Sequence, residues 1–274
     1  MARSTVTADG IAVRWEEQGE GPPLVLIHGI PTSPALWRHV MPLISGARCL
    51  AFELVGYGAS IPQGRGRDIS VARQADYVAA WLATLGIGRA VFAGHDLGGG
   101  VAQIAAVRYP GLCSGLFLTN AIGYDFWPVS AVKAMQATAP LVRRLPDIAA
   151  RQIIRTLMYR GHDDRARARE SLDVHWRPYA QHGGAESLIR QVTSLNVRDT
   201  LAVADALPSL RVPARLVWGA ADRFQKIRYG KRFAQDLSAP LHAIDRGRHF
   251  TPEDHPEIVA QEINRLLADV RQPA

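Results

Sequence analysis

Short apolar runs recur along the chain at Leu24 to His28, Cys49 to Glu53, Ala90 to Gly94, Gly115 to Asn120, Ala214 to Gly219 and Leu241 to Asp245. They lack the polar alternation of a half-exposed strand, so they predict strands covered on both faces, as in a parallel sheet. Between them the apolar spacing becomes helical. Val71, Ala75, Val78 or Ala79, Leu82 and Leu85 fall on one face, and a closing helix is predicted from about Glu257 to Val270. Strands alternating with helices in this way predict an α/β fold, a mostly parallel sheet flanked by helices.

The alternation breaks once, between Asn120 and Ala214, where the residues favour helix and no strand pattern is present. Pro128, Pro140, Pro146, Pro178 and Pro208 are expected to divide this stretch into short helices. The reading is one domain with an insertion: a core of residues 1–122 and 209–274, and a helical cap of residues 123–208 over the end of the sheet, where it would exclude water. A second domain with a purely structural role is the alternative.

Composition narrows the picture further. With 274 residues, 47% of them apolar, the chain can bury one substantial core. No stretch approaches the roughly 20 apolar residues of a membrane span, and Met1 to Gly10 lacks the apolar segment of a secretory signal. A cytoplasmic protein without a membrane partner is expected. Cys49 and Cys113 sit in or beside apolar runs, and nothing has metal-ligand spacing, so neither metal nor cofactor is expected. The formal charge of +7 comes from basic residues scattered through the chain. No basic run interleaved with aromatics is present, which argues against a nucleic-acid partner.

The chemistry concentrates at Gly94-His95-Asp96-Leu97-Gly98, an apolar strand passing directly into helix-forming residues. Glycines two residues either side of Asp96 permit the sharp strand-to-helix turn of a nucleophile elbow, which lifts one side chain above the sheet. Taken alone, Asp96 could instead cap the following helix. Two later positions favour the elbow: Asp222 follows the strand ending at Gly219, and His249 follows the strand ending near Asp245. Nucleophile, acid and histidine in that order, each past a strand, is the order of the α/β-hydrolase triad. The loop His28-Gly29-Ile30-Pro31-Thr32-Ser33 follows a buried strand. It would supply the Ile30 N–H to an oxyanion hole, paired with that of Leu97, while His28 braces the loop.

The segments HGIPTS, ELVGYGAS, GHDLGGG, WGAAD and GRHF resemble the α/β-hydrolases that include epoxide hydrolases and haloalkane dehalogenases, from about Val25 to Leu267. The resemblance implies an aspartate nucleophile that forms an alkyl-enzyme ester, which His249 and Asp222 then help water to cleave. It also has departures. Haloalkane dehalogenases generally place Trp after the nucleophile and often Asn after the HG pair, where this chain has Leu97 and Ile30, and the Arg of fluoroacetate-cleaving relatives is absent. An epoxide further requires a proton donor, which resembling enzymes take from cap tyrosines. Tyr159 and Tyr179 are the candidates, with Pro31, Tyr124, Trp127 and Trp176 as candidate substrate contacts. The expectation is an epoxide hydrolase acting on a small hydrophobic epoxide and water, as a monomer or homodimer. The alternatives are a haloalkane dehalogenase, an ester or lactone hydrolase of the same fold, and a non-catalytic small-molecule receptor.

Overall fold

The computed structural model describes residues 2–7 and 10–271; Met1, Ala8, Asp9 and residues 272–274, at or near the ends of the expected core ranges, lie outside the described residues. The six apolar runs form strands β3 (Pro23–Ile27), β4 (Arg48–Phe52), β5 (Ala90–His95), β6 (Cys113–Thr119), β7 (Ala214–Gly219) and β8 (Leu241–Ile244). Two strands not expected from the sequence precede them, β1 (Ala2–Val6) and β2 (Ala12–Gln18). The eight strands form one sheet in the order β1-β2-β4-β3-β5-β6-β7-β8. Pairing is antiparallel for β1 with β2 and for β2 with β4, and parallel from β4 through β8.

The continuous apolar character of the central strands follows from cover on both faces. Val25, Ile27, Leu50, Phe52 and Phe92 belong to one core cluster, while their neighbours Leu24, Leu26, Cys49, Ala51 and Val91 belong to another. Helix α1 (Val71–Thr84) starts where the Ser70 hydroxyl accepts the Arg73 N–H, and buries Val71, Ala75, Val78 and Leu82. Helix α2 (Leu97–Arg108) packs beside it in the first cluster. On the other face lies α11 (Pro256–Arg271), which turns Val259, Ile263, Leu266 and Leu267 inward.

Between β6 and β7 the chain is helical: α3 (Ser130–Ala137), α4 (Ala139–Val142), α5 (Asp147–Gly161), α6 (Arg165–His182), α7 (Gly184–Thr193) and α8 (Arg198–Ala204). The expectation that Pro178 ends a helix is corrected, because α6 runs through it. Tyr179, the next residue, is buried and hydrogen-bonded, and that packing holds the helix together past the lost backbone donor. The remaining helices are α9 (Ile227–Asp236) after β7 and α10 (Thr251–Asp254) before α11. Among the described residues, no helix is long and apolar enough to cross a membrane.

Candidate active site

Asp96 sits between β5 and α2 with φ 50° and ψ −117°, a strained conformation for a residue with a side chain. The flanking glycines are required by close approach. A Cβ on Gly98 would fall 2.1 Å from the Ile27 carbonyl oxygen, and one on Gly94 would fall 2.3 Å from that of Gly98. Asp96 makes no side-chain capping bond to α2. Its carboxylate instead lines a small cavity of about 70 Å³ over the carboxyl ends of the strands, shared with Ile30, Leu97, Gln225 and His249.

The structure brings the three expected triad residues together. His249 Nδ1 lies 2.9 Å from Asp222 Oδ2, and His249 Nε2 lies 3.9 Å from Asp96 Oδ1. The second distance is too long for a hydrogen bond and leaves the pair in Coulombic contact. Burial resists charge on His249, but the Asp222 charge and hydrogen bond, with a contribution from Asp96, raise its pKa above the usual histidine value. Burial also raises the Asp96 pKa, against the opposing pull of His249, the Leu97 and Ile30 N–H groups and Gln225. The Ile30 N–H donates to Asp96 Oδ2 at 3.1 Å, leaving Oδ1 turned toward His249. His28 braces this loop as expected: its Nδ1 lies 2.9 Å from the Gly29 carbonyl and its Nε2 accepts the Leu54 N–H at 3.1 Å. Burial lowers its pKa to about 3, which keeps the ring neutral.

Two site residues were missed in the sequence. Gln225 is buried, its Nε2 lies 3.4 Å from Asp96 Oδ1, and its Oε1 has no hydrogen-bond partner among the described residues. Asn120, at φ 41°, donates to Asp222 Oδ2 at 2.6 Å, and its Oδ1 accepts from the Gly219 N–H and the Thr251 hydroxyl. The only signal for Asn120 was its place at a strand end, and Gln225 had none beyond lying close after Asp222.

The cap candidates require correction. The Tyr179 hydroxyl is buried and donates to Gln191 Oε1 at 2.5 Å, and Tyr159 is half-buried under the Arg155 guanidinium, so neither lines the cavity. Trp176 stacks on Tyr179, and the Tyr124 hydroxyl donates to Asp236 at 2.6 Å. Both are held away by these contacts. Pro31 and Trp127 do line the cavity, although Trp127 commits its indole N–H to Thr200 at 2.6 Å. The remaining walls are apolar, with Ile122, Val132, Leu195 and Phe250 among them.

A family model described as the alpha/beta hydrolase fold matches residues 22–256. The chain is 28% identical to a haloalkane dehalogenase of Mycobacterium tuberculosis over 268 residues, covering 92% of this chain and 90% of that protein. It is 27% identical to a 2-hydroxymuconate semialdehyde hydrolase of Pseudomonas putida over 278 residues, covering 96% and 93%. An alpha/beta hydrolase fold protein of Burkholderia ambifaria superposes with a TM-score of 0.88 at 25% identity, covering 95% of this chain and 96% of the other.

Proposed function

This chain is a hydrolase of the α/β-hydrolase family, and from that premise we propose that it opens a small, largely apolar epoxide to a vicinal diol through an ester on Asp96. The observation that carries the reading is the divided environment of one carboxylate. Oδ2 accepts the Ile30 N–H, while Oδ1 faces His249 and Gln225 in an apolar cavity. A carboxylate so placed attacks an electrophilic carbon without a general base.

With no tyrosine among the cavity-lining residues, the proton for the opening oxygen comes from His249. Its raised pKa favours the imidazolium form in the resting site. Oδ1 bonds to carbon as the carbon–oxygen bond breaks, and the alkoxide takes the proton from Nε2. The imidazole, now neutral and held by Asp222, then accepts a proton from water as the water attacks the ester carbonyl. The Ile30 and Leu97 N–H groups stabilise the oxyanion. Collapse expels the diol's second oxygen, which takes the His249 proton, and the proton left on the Asp96 carboxyl then passes to the imidazole, restoring the carboxylate and the imidazolium. One epoxide and one water become one diol.

The Gln225 amide is the other side-chain donor at Oδ1. Halide departure from a haloalkane would call for N–H donors free to receive the anion, and Trp127 is already committed to Thr200. A single turnover in water enriched in heavy oxygen tests the reading. The label is expected on the peptide containing Asp96, with a first-turnover diol free of it, because water attacks the carboxyl carbon. Label in the diol alone refutes the ester, and release of halide from a haloalkane with no diol from any epoxide replaces the substrate class.

A further inference from the structure

A second, larger cavity of about 610 Å³ adjoins the catalytic one, and Pro128, Val129, Leu157 and Phe224 line both. Its wall carries Lys133 from α3, Arg160 from α5, and Arg223, Lys226 and Arg228 from the segment between β7 and α9 and the start of α9. No aspartate or glutamate among the described residues lines it. Among the described residues, Lys133, Arg160, Arg223 and Lys226 have no ion-pair partner, and Arg228 directs its guanidinium to the ring and hydroxyl of Tyr229. These cations come from three separate parts of the chain, and all five are exposed.

Resting on the hydrolase reading above, we infer that the substrate is a small organic anion: an apolar end carrying the reactive carbon enters the cavity at Asp96, and a carboxylate or phosphate head stays among Lys133, Arg160, Arg223, Lys226 and Arg228. The division of polarity between the two cavities carries the inference. The inner one offers apolar walls around a buried carboxylate and would repel a second anion brought to the same depth. The outer one gathers mutually repelling cations with no compensating acid, an arrangement that an anionic ligand relieves. Exposed charges contribute little individually. Around one mouth their fields add within a Debye length of about 10 Å at 0.1 M salt, and fields of this kind raise encounter rates by about 10 to 1,000-fold.

Binding of hexanoate and of hexanamide, followed by calorimetry, tests the head-group site without requiring turnover. Hexanoate is expected to bind at least about tenfold tighter at low ionic strength, with most of that advantage lost near 0.5 M salt. In the variant Lys133→Glu/Arg160→Glu/Arg228→Glu the advantage should vanish while hexanamide affinity stays the same. All three positions are exposed and lie outside the triad and the oxyanion loop. Equal affinities in the native protein, an advantage that survives charge reversal, or no detectable hexanoate binding would each overturn the inference. A turnover comparison separates this outcome from failure of the hydrolase reading. An epoxyalkanoate should exceed its methyl ester in kcat/KM through KM alone; equal values, with diol formed from both, sink the anion site and leave the chemistry standing.

Discussion

Gly29→Ala is the sharpest local test of the oxyanion loop, because its effect falls on a single group. A methyl at position 29 would lie 2.5 Å from Asp96 Oδ2, 2.6 Å from its Cβ and 2.9 Å from its Cγ. Non-bonded carbons settle at about 3.5–4.0 Å, so either the carboxylate swings away or the loop moves outward. Both responses stretch the 3.1 Å bond from the Ile30 N–H to Oδ2. Gly29 is not among the residues with positive φ, so alanine suits the backbone and the cost arises at the carboxylate. A hydrogen bond to a charged group is worth about 1.5–3 kcal/mol, which corresponds to a loss of roughly 10- to 100-fold in rate. Single-turnover formation and breakdown of the Asp96 adduct measures it, with Gly111→Ala, where a Cβ would meet nothing within 4 Å, as the control. A Gly29→Ala rate within about twofold of the native value would show that the Ile30 amide does not hold the reacting carboxylate.

Gln225→Leu, which removes the amide beside Oδ1, is expected to lower kcat by roughly tenfold with little change in melting temperature; an unchanged kcat would make Gln225 a packing residue. Tyr179→Phe should cost about 1 kcal/mol of stability by leaving Gln191 Oε1 without its donor, and it should not change single-turnover rates. A hundredfold slowing there would return the tyrosine to the chemistry. His162, just after α5, lies 2.9 Å from Asp254 and 3.1 Å from Glu253, both in α10. Burial resists its charge, but these two carboxylates outweigh it and raise its pKa to about 9. A folded pKa above the unfolded value of about 6.5 means that the contribution is complete below that pH and is lost as pH rises through about 9. Unfolding free energy should therefore fall by about 3 kcal/mol from about pH 6 to above 9, and His162→Gln should flatten this slope. Denaturant titrations at the two pH values decide it, and equal slopes in both proteins would refute the assignment.

The central strands, the elbow and the spacing of Asp96, Asp222 and His249 were legible in the sequence because each is set by neighbours in the chain. A strand buried on both faces must be apolar throughout, and a turn packed against Ile27 and Gly98 leaves room only for glycine. The β1–β2 hairpin was not legible, because the alternation of β2 covers only Val13, Arg14 and Trp15 before the polar Glu16-Glu17-Gln18, too short a pattern to mark a half-exposed strand. Tertiary structure alone decided where the aromatic side chains of the helical stretch between β6 and β7 point. Gln191 claims Tyr179, Thr200 claims Trp127 and Asp236 claims Tyr124, each pairing residues far apart in the chain or on different helices. Gln225 and Asn120 likewise acquire their roles only when β5, β6 and β7 bring Asp96 and Asp222 beside them. The arginines and lysines dispersed along the sequence become one cationic mouth because α3, α5 and the start of α9 converge there. Local pattern determines which backbone forms and which residue types can react, whereas the direction of a side chain and the company of a charge depend on packing between segments that the sequence does not place side by side.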